Sequence, residues 1–404
     1  MHIVIVSPSD KSFIAEFLSN YDEKNLPNGF YGAPFIGTII KELLAQNYKV
    51  TAITTTVAID NDYCVKSFSN DNFTWVVVPS RPRSVRMNGY KIGRILDLYY
   101  FEIKQLTRQI QIVKPDFVHA HWSYEFAAAA IKAGFPFLVT VHDNAFQVFK
   151  FFKKGFWFGR LLMAQINLRK IKYASTVSPY MESYVKSSCE KVEIIPNPVA
   201  IDMTFVDIET ALQLKVSTIS KPKIIMINNG WDMRKNGLNG LLAFKQIKEQ
   251  LPEATLHLFG HGSEQDGAAF QDVQKLKIEN VFFYGAVPHS QLIEILRQSH
   301  FMLHPALEES FGVVLIEAQA NGVPVIGGMY SGAVPWVIDN PALLVNVENP
   351  NEISTCALEL LGNKEAYKEA VLSGYKNTCN RFSTKEVVEQ YINYYELIIG
   401  NWNS

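Results

Sequence analysis

Short runs of β-branched and apolar residues alternate with longer helical patterns along the whole chain, and this alternation most restricts its fold. Strands that alternate with helices form βαβ units, in which helices cover both faces of a parallel sheet. The sequence therefore predicts an α/β fold with parallel sheets flanked by helices. The predicted strands are His2–Val6, Val50–Thr54, Thr74–Val78, Phe117–Ala120, Phe137–Val141, Ala174–Val177, Val192–Ile195, Lys223–Asn228, Thr255–Phe259, Val281–Tyr284, Phe301–His304, Val323–Ile326 and Ala342–Val345.

The alternation is interrupted once, between Pro196 and Pro222. Because 404 residues exceed what one hydrophobic core usually fills, we expect two domains. They are a Rossmann-like N-terminal domain of residues 1–200 and a second Rossmann-like domain of residues 201–383. Ligands of such open sheets bind at the carboxyl ends of the strands, so a cleft between two facing domains is the expected site.

Composition restricts the partners and the location. The 38 Lys and Arg residues nearly balance the 39 Asp and Glu residues, so no overall field attracts nucleic acid. The four cysteines show no CxxC spacing, which is typical of reduced thiols in a cytoplasmic protein. No apolar run reaches the roughly 20 residues that span a bilayer. The oligomeric state cannot be read from the sequence.

Two glutamates, Glu309 and Glu317, bracket a short apolar segment. We predict a helix that begins near Ser310 and ends at Asn321-Gly322, where glycine accepts the left-handed conformation of a helix cap. Eight helical steps would separate the two carboxylates by roughly 12 Å. That is about the span from the sugar to the ribose of a nucleotide-diphosphate sugar, so the pair indicates a ligand.

Charged and amide groups near this helix suit a diphosphate. The amides at the helix start, near Gly312 and Val313, would bind an anion. Arg234 and Lys235 lie in a glycine-flanked loop after the first strand of the second domain, where cations suit the same ligand. A pair of solvated surface charges is the alternative reading of that loop.

Imidazoles follow two predicted strands of the first domain. His119 and His121 end one strand, and His142 with Asp143 follows the next. Because parallel strands end at the same edge of a sheet, these groups are candidates for lining a ligand site in the cleft. The alternative for each histidine is a core residue hydrogen-bonded to a backbone carbonyl.

Two loops carry weaker signals. Gly29 and Gly32 precede the first long helix and would offer bare amides to a phosphate, although a plain turn explains them equally well. Asp60-Asn61-Asp62 formally matches a DxD, an arrangement that holds a divalent cation in some enzymes. It has no second metal-ligand cluster nearby, so we expect no metal site.

The segment 145–180 is basic and aromatic and contains no acidic residue. Such a composition is typical of an interfacial anchor for anionic lipid. A helix that packs its aromatic face into its own domain is the alternative, and both stay open. The residues are Lys150, Lys153, Lys154, Arg160, Arg169, Lys170 and Lys172 with Phe146, Phe149, Phe151, Phe152, Phe156, Trp157 and Phe158.

Together these motifs resemble the retaining, metal-independent glycosyltransferases of family 4, which have the GT-B architecture. The segment from Glu309 to Val325 is similar to the E-x7-E element of that family. Ile195-Pro196-Asn197, the Arg234-Lys235-Asn236 loop and the histidine after the fourth strand support the resemblance, which covers nearly the whole chain.

The resemblance implies a role for each of these residues. Glu309 would lie beside the donor sugar, and Glu317 would hold the ribose hydroxyls. Lys235, with Arg234 beside it, would neutralise the leaving diphosphate, and His121 would lie near the reacting centre. The C-terminal helix, within residues 384–404, would return to the N-terminal domain.

The resemblance also implies the reaction, which is transfer of a sugar from a nucleotide-diphosphate sugar to a hydroxyl with retention and without a cofactor. A carbohydrate or lipid-linked acceptor fits the basic aromatic segment, as in the synthesis of cell-surface polysaccharide or glycolipid at the cytoplasmic face of a membrane. The alternatives on the same fold are a UDP-sugar epimerase and a non-catalytic protein that binds sugar nucleotides. A phosphorylase would need a pyridoxal-phosphate lysine and is usually longer.

Overall fold

A computed structural model of the chain describes residues 1–57, 64–199 and 207–402. The Asp60-Asn61-Asp62 motif lies outside the described residues. Two compact units are present: an N-terminal unit of Met1–Ala200 with Thr384–Ser404, and a C-terminal unit of Ile201–Ser383.

The N-terminal unit contains an eight-stranded sheet. Its strands are β1 (His2–Val6), β2 (Lys49–Thr56), β3 (Lys66–Ser69), β4 (Phe73–Pro79), β5 (Phe117–His121), β6 (Phe137–Val141), β7 (Tyr173–Thr176) and β8 (Lys191–Ile194). Their order is β3-β4-β2-β1-β5-β6-β7-β8. All neighbours are parallel except β3, which is antiparallel to β4.

Helices flank this sheet, and the last of them comes from the end of the chain. They are α1 (Lys11–Ile14), α2 (Phe35–Ala45), α3 (Tyr100–Val113), α4 (Glu125–Ala133), α5 (Ala145–Phe152), α6 (Gly155–Leu168), α7 (Pro179–Val185) and α16 (Thr384–Trp402). Helix α16 packs against α2 and β6, and it buries Tyr391 and Tyr395 completely. The predicted return of the C-terminal helix to the N-terminal domain is thus confirmed.

The C-terminal unit contains a second sheet, with six parallel strands in the order β11-β10-β9-β12-β13-β14. They are β9 (Lys223–Ile227), β10 (Thr255–Phe259), β11 (Val281–Gly285), β12 (Phe301–His304), β13 (Val325–Gly328) and β14 (Leu344–Val345). Its helices are α8 (Ile208–Ser217), α9 (Gly237–Gln250), α10 (Ala268–Leu276), α11 (His289–Gln298), α12 (Val313–Ala320), α13 (Val334–Ile338), α14 (Pro350–Gly362) and α15 (Lys364–Phe382). Two α/β units with parallel sheets confirm the predicted fold class.

Each predicted strand is present, with bounds that agree to within two residues. The agreement follows from burial, because strands covered on both faces read as nearly continuous apolar runs. The short edge strand β3 was not predicted, since its sequence Lys-Ser-Phe-Ser is largely polar and exposed. The interruption between Pro196 and Pro222 contains α8, which was also not predicted.

Candidate active site

The C-terminal unit brings two charged loops together at one edge of its sheet. Strand β9 pairs with β12, so the loop after β9 lies beside the loop after β12. There the ammonium group of Lys235 donates a hydrogen bond to Oε1 of Glu309. Next to this pair, the guanidinium of Arg234 donates to Oε2 of Glu308 over 3.2 Å. The structure therefore joins the predicted cationic loop to the first predicted glutamate.

The environment of Glu309 keeps its carboxylate charged. Burial alone would raise the pKa of Glu309, but Lys235, His304 and Arg234 together lower that pKa well below its usual range. Nε2 of His304 lies 3.5 Å from Oε1 of Glu309. Glu309 and Glu308 in turn raise the pKa of Arg234, against the effect of burial. The cluster thus consists of two ion pairs, Lys235–Glu309 and Arg234–Glu308, whose side chains are largely shielded from water.

The helix between the two glutamates begins later than predicted. Gly312 has φ +84°, a left-handed conformation that L residues disfavour. A Cβ atom at this position would also approach Cδ1 of Leu315 to 2.8 Å. Helix α12 therefore begins at Val313, and Glu309 lies before it rather than on it. The estimate of roughly 12 Å between the carboxylates assumed one continuous helix, and that assumption was wrong.

The segment before α12 is held by backbone hydrogen bonds instead of helical ones. Glu309 accepts from the amide of Ala333 over 2.9 Å, and its own amide lies 3.4 Å from the carbonyl of Ser331. At the other end, the helix stops at Asn321, and Gly322 has φ +66°. The predicted glycine stop is thus confirmed. The first amides of α12, near Val313, have no acceptor within the helix.

Glu317 lies on α12 and is buried. Its Oε1 accepts a hydrogen bond of 2.7 Å from Nε2 of His289, the first residue of α11. The hydrogen bond with Glu317 raises the pKa of His289, although burial opposes this. Neither His289 nor His304 was predicted. The signal for His304 was present, because it ends β12 as His121 ends β5.

Two predicted histidines meet at the carboxyl edge of the N-terminal sheet. Nδ1 of His121 lies 2.9 Å from Nε2 of His142, across the neighbouring strands β5 and β6. Among the described residues, Nε2 of His121 has no hydrogen-bond partner although it is buried. Burial, with the nearby His119 and His142, lowers the pKa of His121, and burial lowers the pKa of His142 to about 3. Both rings are therefore neutral near pH 7.

Asp143 and Trp122 complete this edge. The hydroxyl of Tyr124 donates to Oδ2 of Asp143 over 3.0 Å. Trp122 has φ +66°, which is uncommon for a bulky residue, and its indole ring lies 4.3 Å from the ring of His142 between centroids. Strained backbone of this kind persists where the surroundings enforce it, and functional sites are frequent examples.

His119, by contrast, is a core residue. Its Nε2 lies 2.7 Å from Oγ1 of Thr140, and its Nδ1 lies 2.7 Å from the hydroxyl of Tyr395 on α16. Both ring nitrogens are thus engaged, with side chains rather than with a backbone carbonyl. This histidine connects the C-terminal helix to the sheet.

The two glycines of the first loop differ in their surroundings. The amide of Gly29 donates to Oδ2 of Asp10 over 2.9 Å, and a Cβ atom there would lie 2.0 Å from the carbonyl oxygen of Ser9. Close backbone packing explains why this residue is glycine. Its amide was predicted to be free for a phosphate, but it is already hydrogen-bonded to Asp10. Gly32 has φ +127°, and a Cβ atom added there would meet no other atom within 4 Å.

The basic aromatic segment forms α5 and α6, and it divides its side chains between the core and the surface. Met163 and Ala164 are buried in an apolar cluster, and the rings of Phe152 and Trp157 stack 5.3 Å apart. Arg160 ion-pairs with Glu125 and does not belong to an open basic face. The exposed apolar and lysine side chains of α5, α6 and the turn between them are Phe146, Phe158, Leu162 and Ile166 with Lys150, Lys153 and Lys154. We call these seven residues the α5–α6 surface.

The described residues contain neither a membrane-spanning helix nor a metal-binding cluster. None of the helices there combines the length and the apolar character that crossing a bilayer requires. In the same part of the chain, no three or more His, Cys, Asp or Glu side chains are grouped in a way that could hold a metal ion.

Family models match most of the chain. The model described as Glycosyl transferases group 1 matches residues 211–377, which hold the Lys235–Glu309 pair and Glu317. The model described as Glycosyltransferase Family 4 matches residues 34–203, which hold His121 and His142. The chain belongs to glycosyltransferase family 4. It is therefore an enzyme that transfers a sugar.

Similar proteins agree with this assignment. N-acetyl-alpha-D-glucosaminyl L-malate synthase of Bacillus anthracis is 30% identical over 198 residues, which are 48% of this glycosyltransferase and 51% of the relative. Sucrose-phosphate synthase from Thermosynechococcus elongatus has a similar structure, with a TM-score of 0.74 and 18% identity over 99% of this chain and 100% of that one. A structure described as trehalose-6-phosphate from E. coli bound with UDP-2-fluoro glucose has a TM-score of 0.69 and 13% identity, over 98% and 99% of the two chains. The glycosyltransferase thus has the GT-B fold.

Proposed function

We propose that this glycosyltransferase takes its sugar from a nucleotide-diphosphate sugar bound by the C-terminal unit, retains the anomeric configuration and needs no metal. The observation that carries the proposal is the Lys235–Glu309 pair, with Arg234–Glu308 beside it. These groups lie at the carboxyl ends of adjacent strands, where ligands of such sheets bind. The UDP-sugar analogue named in the similar E. coli structure agrees with this class of donor.

The cations provide what the difficult step needs. When the bond between the anomeric carbon and the phosphate oxygen breaks, negative charge accumulates on the diphosphate. Arg234, Lys235 and the amides of Gly312 and Val313, at the start of α12, are preorganised donors for that charge. In this proposal they do what a divalent cation does in other transferases.

Glu309 acts on the positive charge that develops on the sugar in the same step. Its low pKa keeps the carboxylate ionised, and a fixed negative group beside the sugar stabilises the positive charge that develops at the anomeric carbon. The acceptor hydroxyl forms the new bond on the face from which the phosphate leaves. Its proton passes to the leaving phosphate oxygen, so the reaction needs no other reagent.

The N-terminal unit supplies groups for sugar and acceptor. Nε2 of His121 is buried without a hydrogen-bond partner among the described residues, as expected for an atom that binds a substrate hydroxyl. His142 holds the other nitrogen of this ring, and Asp143 lies next in the chain. We assign His121 to the reacting centre and His142 and Asp143 to the sugar or acceptor. Gly32 retains a proposed role near the phosphates, and Gly29 has only the structural one.

The α5–α6 surface favours an acceptor at a membrane. This surface combines exposed apolar side chains, among them Phe146, Phe158 and Leu162, with three exposed lysines. Apolar and cationic side chains together are typical of proteins that bind the surface of an anionic membrane. The proposal therefore includes a carbohydrate or lipid-linked acceptor in polysaccharide or glycolipid synthesis, with the enzyme peripheral on the cytoplasmic face.

Vesicle binding tests that part of the proposal. Wild type should sediment with vesicles of phosphatidylglycerol and phosphatidylcholine, and a K150A/K153A/K154A variant should sediment at least several-fold less. The control is K41A/K66A/K186A, which removes three other exposed lysines of the N-terminal unit. Equal sedimentation of all three proteins would refute membrane binding by this surface.

Donor chemistry tests the function itself. A panel of nucleoside-diphosphate sugars is first screened by thermal shift, because a ligand that binds only the native state raises the melting temperature. With a donor so identified, wild type should release nucleotide, and Glu309→Gln should reduce that release far more than it reduces donor binding. An isomerised donor would indicate an epimerase. Tight binding without nucleotide release by wild type would indicate a non-catalytic binding protein.

A further inference from the structure

His289 pairs with Glu317 but has no role in the proposed function. Nε2 of His289 lies 2.7 Å from Oε1 of Glu317. The side chain of Glu317 is 4% exposed, whereas that of His289 is 36% exposed. His289 therefore reaches solvent, whereas the carboxylate of Glu317 is almost entirely covered.

The pair lies on two helices that the fold places side by side. His289 is the first residue of α11, and Glu317 is in the middle of α12, which packs against α11. At the end of α12, the side chain of Asn321 donates to the backbone carbonyl of Glu317 and accepts from Arg297 of α11. The backbone around Glu317 is thus held by one set of bonds, and its carboxylate by His289.

We propose that His289 is a positioning residue for the ribose of the donor nucleotide, and this inference rests on the proposed function of Glu317. By donating to Oε1, the imidazole fixes the rotation of the carboxylate and leaves Oε2 as the acceptor for a ribose hydroxyl. A nucleotide without that hydroxyl gains nothing from the arrangement. His289 thereby makes the site selective for ribonucleotides over deoxyribonucleotides.

The chemistry of the two groups supports a positioning role. A buried carboxylate needs hydrogen bonds to remain charged, and a bond to a charged group is stronger than a neutral one. The hydrogen bond to Glu317 raises the pKa of His289, which favours the charged imidazole, the stronger donor to Oε1. An exposed surface pair would gain little from this contact, but here the carboxylate is shielded from water.

The discriminating measurement is calorimetric binding of UDP, GDP and ADP, each compared with its 2′-deoxy counterpart, to the full-length chain. Wild type should bind at least one ribonucleotide about tenfold or more tightly than the deoxy form. His289→Leu should lose most of that ratio by weakening ribonucleotide binding alone. His289→Gln should keep most of it, because its amide can donate from nearly the position of Nε2.

His261→Leu is a matched control. His261 also pairs with a carboxylate, that of Glu264 at 3.8 Å, and it also follows a strand of this sheet. No hydrogen bond or ion pair among the described residues joins His261 to Glu317, so its variant should keep the wild-type ratio of ribonucleotide to deoxyribonucleotide binding.

The possible failures can be told apart. If His289→Leu keeps the wild-type ratio while wild type binds nucleotide, the role of His289 is refuted and the donor site stands. If wild type binds none of the six nucleotides, the proposed function is refuted, and the role of His289 is refuted with it. Melting temperatures show whether His289→Leu folds. If it does not fold, His289→Gln decides. A His289→Gln variant that melts at the wild-type temperature but no longer prefers ribonucleotide over deoxyribonucleotide would also refute the role.

Discussion

The Lys235–Glu309 pair allows the fold and the reaction to be tested with the same three variants. Replacing Lys235 with Met keeps most of the length of the unbranched side chain and removes its charge. Removing one partner of a buried ion pair usually costs about 3–5 kcal/mol. Here both side chains keep about a tenth of their exposure, and Arg234 and His304 still act on Glu309. We therefore expect Lys235→Met to lower the free energy of unfolding by about 2–3 kcal/mol.

Glu309→Gln should cost a similar amount, because it leaves the ammonium group of Lys235 without its carboxylate. The double variant K235M/E309Q removes both charges, so it should be less destabilised than the sum of the single variants by about 2 kcal/mol. Urea denaturation followed by circular dichroism measures all four proteins. A double variant whose loss equals the sum would show that the two charges are not coupled.

Turnover should follow a different pattern from stability. Each of the three variants should release nucleotide about 100-fold or more slowly than wild type, because loss of one preorganised donor costs about 3–4 kcal/mol of barrier. The double variant recovers stability but not catalysis. Initial rates with a donor chosen by thermal shift give the comparison. Wild-type turnover in Lys235→Met would refute the role of Lys235 in the reaction.

Further predictions concern other parts of the molecule. Burial lowers the pKa of Lys215 to about 7, so between about pH 7 and pH 10 the unfolded state binds more protons than the native state. The free energy of unfolding of wild type should therefore rise with pH, relative to that of Lys215→Met, by up to about 1.4 kcal/mol per pH unit. Urea denaturation of both proteins measures this difference, and a difference that stays constant with pH would refute the prediction. Tyr395→Phe leaves Nδ1 of His119 without its 2.7 Å partner and should cost about 1–3 kcal/mol of unfolding free energy; an unchanged melting temperature would contradict the role of that bond. Gly312→Ala should cost about 1–2 kcal/mol and weaken donor binding, because α12 could no longer begin at Val313 in its present position; calorimetry with unchanged affinity would contradict this. Excess EDTA should leave turnover unchanged, and a loss restored by a divalent cation would refute metal independence.

The fold was predictable because its signals are local. Strands such as Phe137–Val141 and Thr255–Phe259 appear in the sequence as apolar runs bounded by polar residues, and the structure has them with these bounds. The glycine stop after Asn321 is likewise a property of adjacent residues. The polar strand β3 lacked such a signal, because an edge strand needs only one partner and little burial.

The sequence indicates candidate site residues, but it does not specify how they are arranged. Glu309 and Lys235 stand out in the sequence, but their hydrogen bond depends on the pairing of β9 with β12, which no local pattern specifies. The pairing of His289 with Glu317 also depends on how α11 packs against α12. The late start of α12 could have been expected from Gly312, since glycine often occupies a left-handed position at a helix boundary.

The central claim is that a nucleotide-diphosphate sugar binds along the Arg234–Lys235 loop and α12. A crystal structure of the chain with the donor identified by thermal shift tests it most directly. We predict that the diphosphate contacts Lys235 and the amides at the start of α12, with the ribose on Glu317 and the sugar beside Glu309. A donor bound away from these groups, with the Lys235–Glu309 pair undisturbed, would contradict the account.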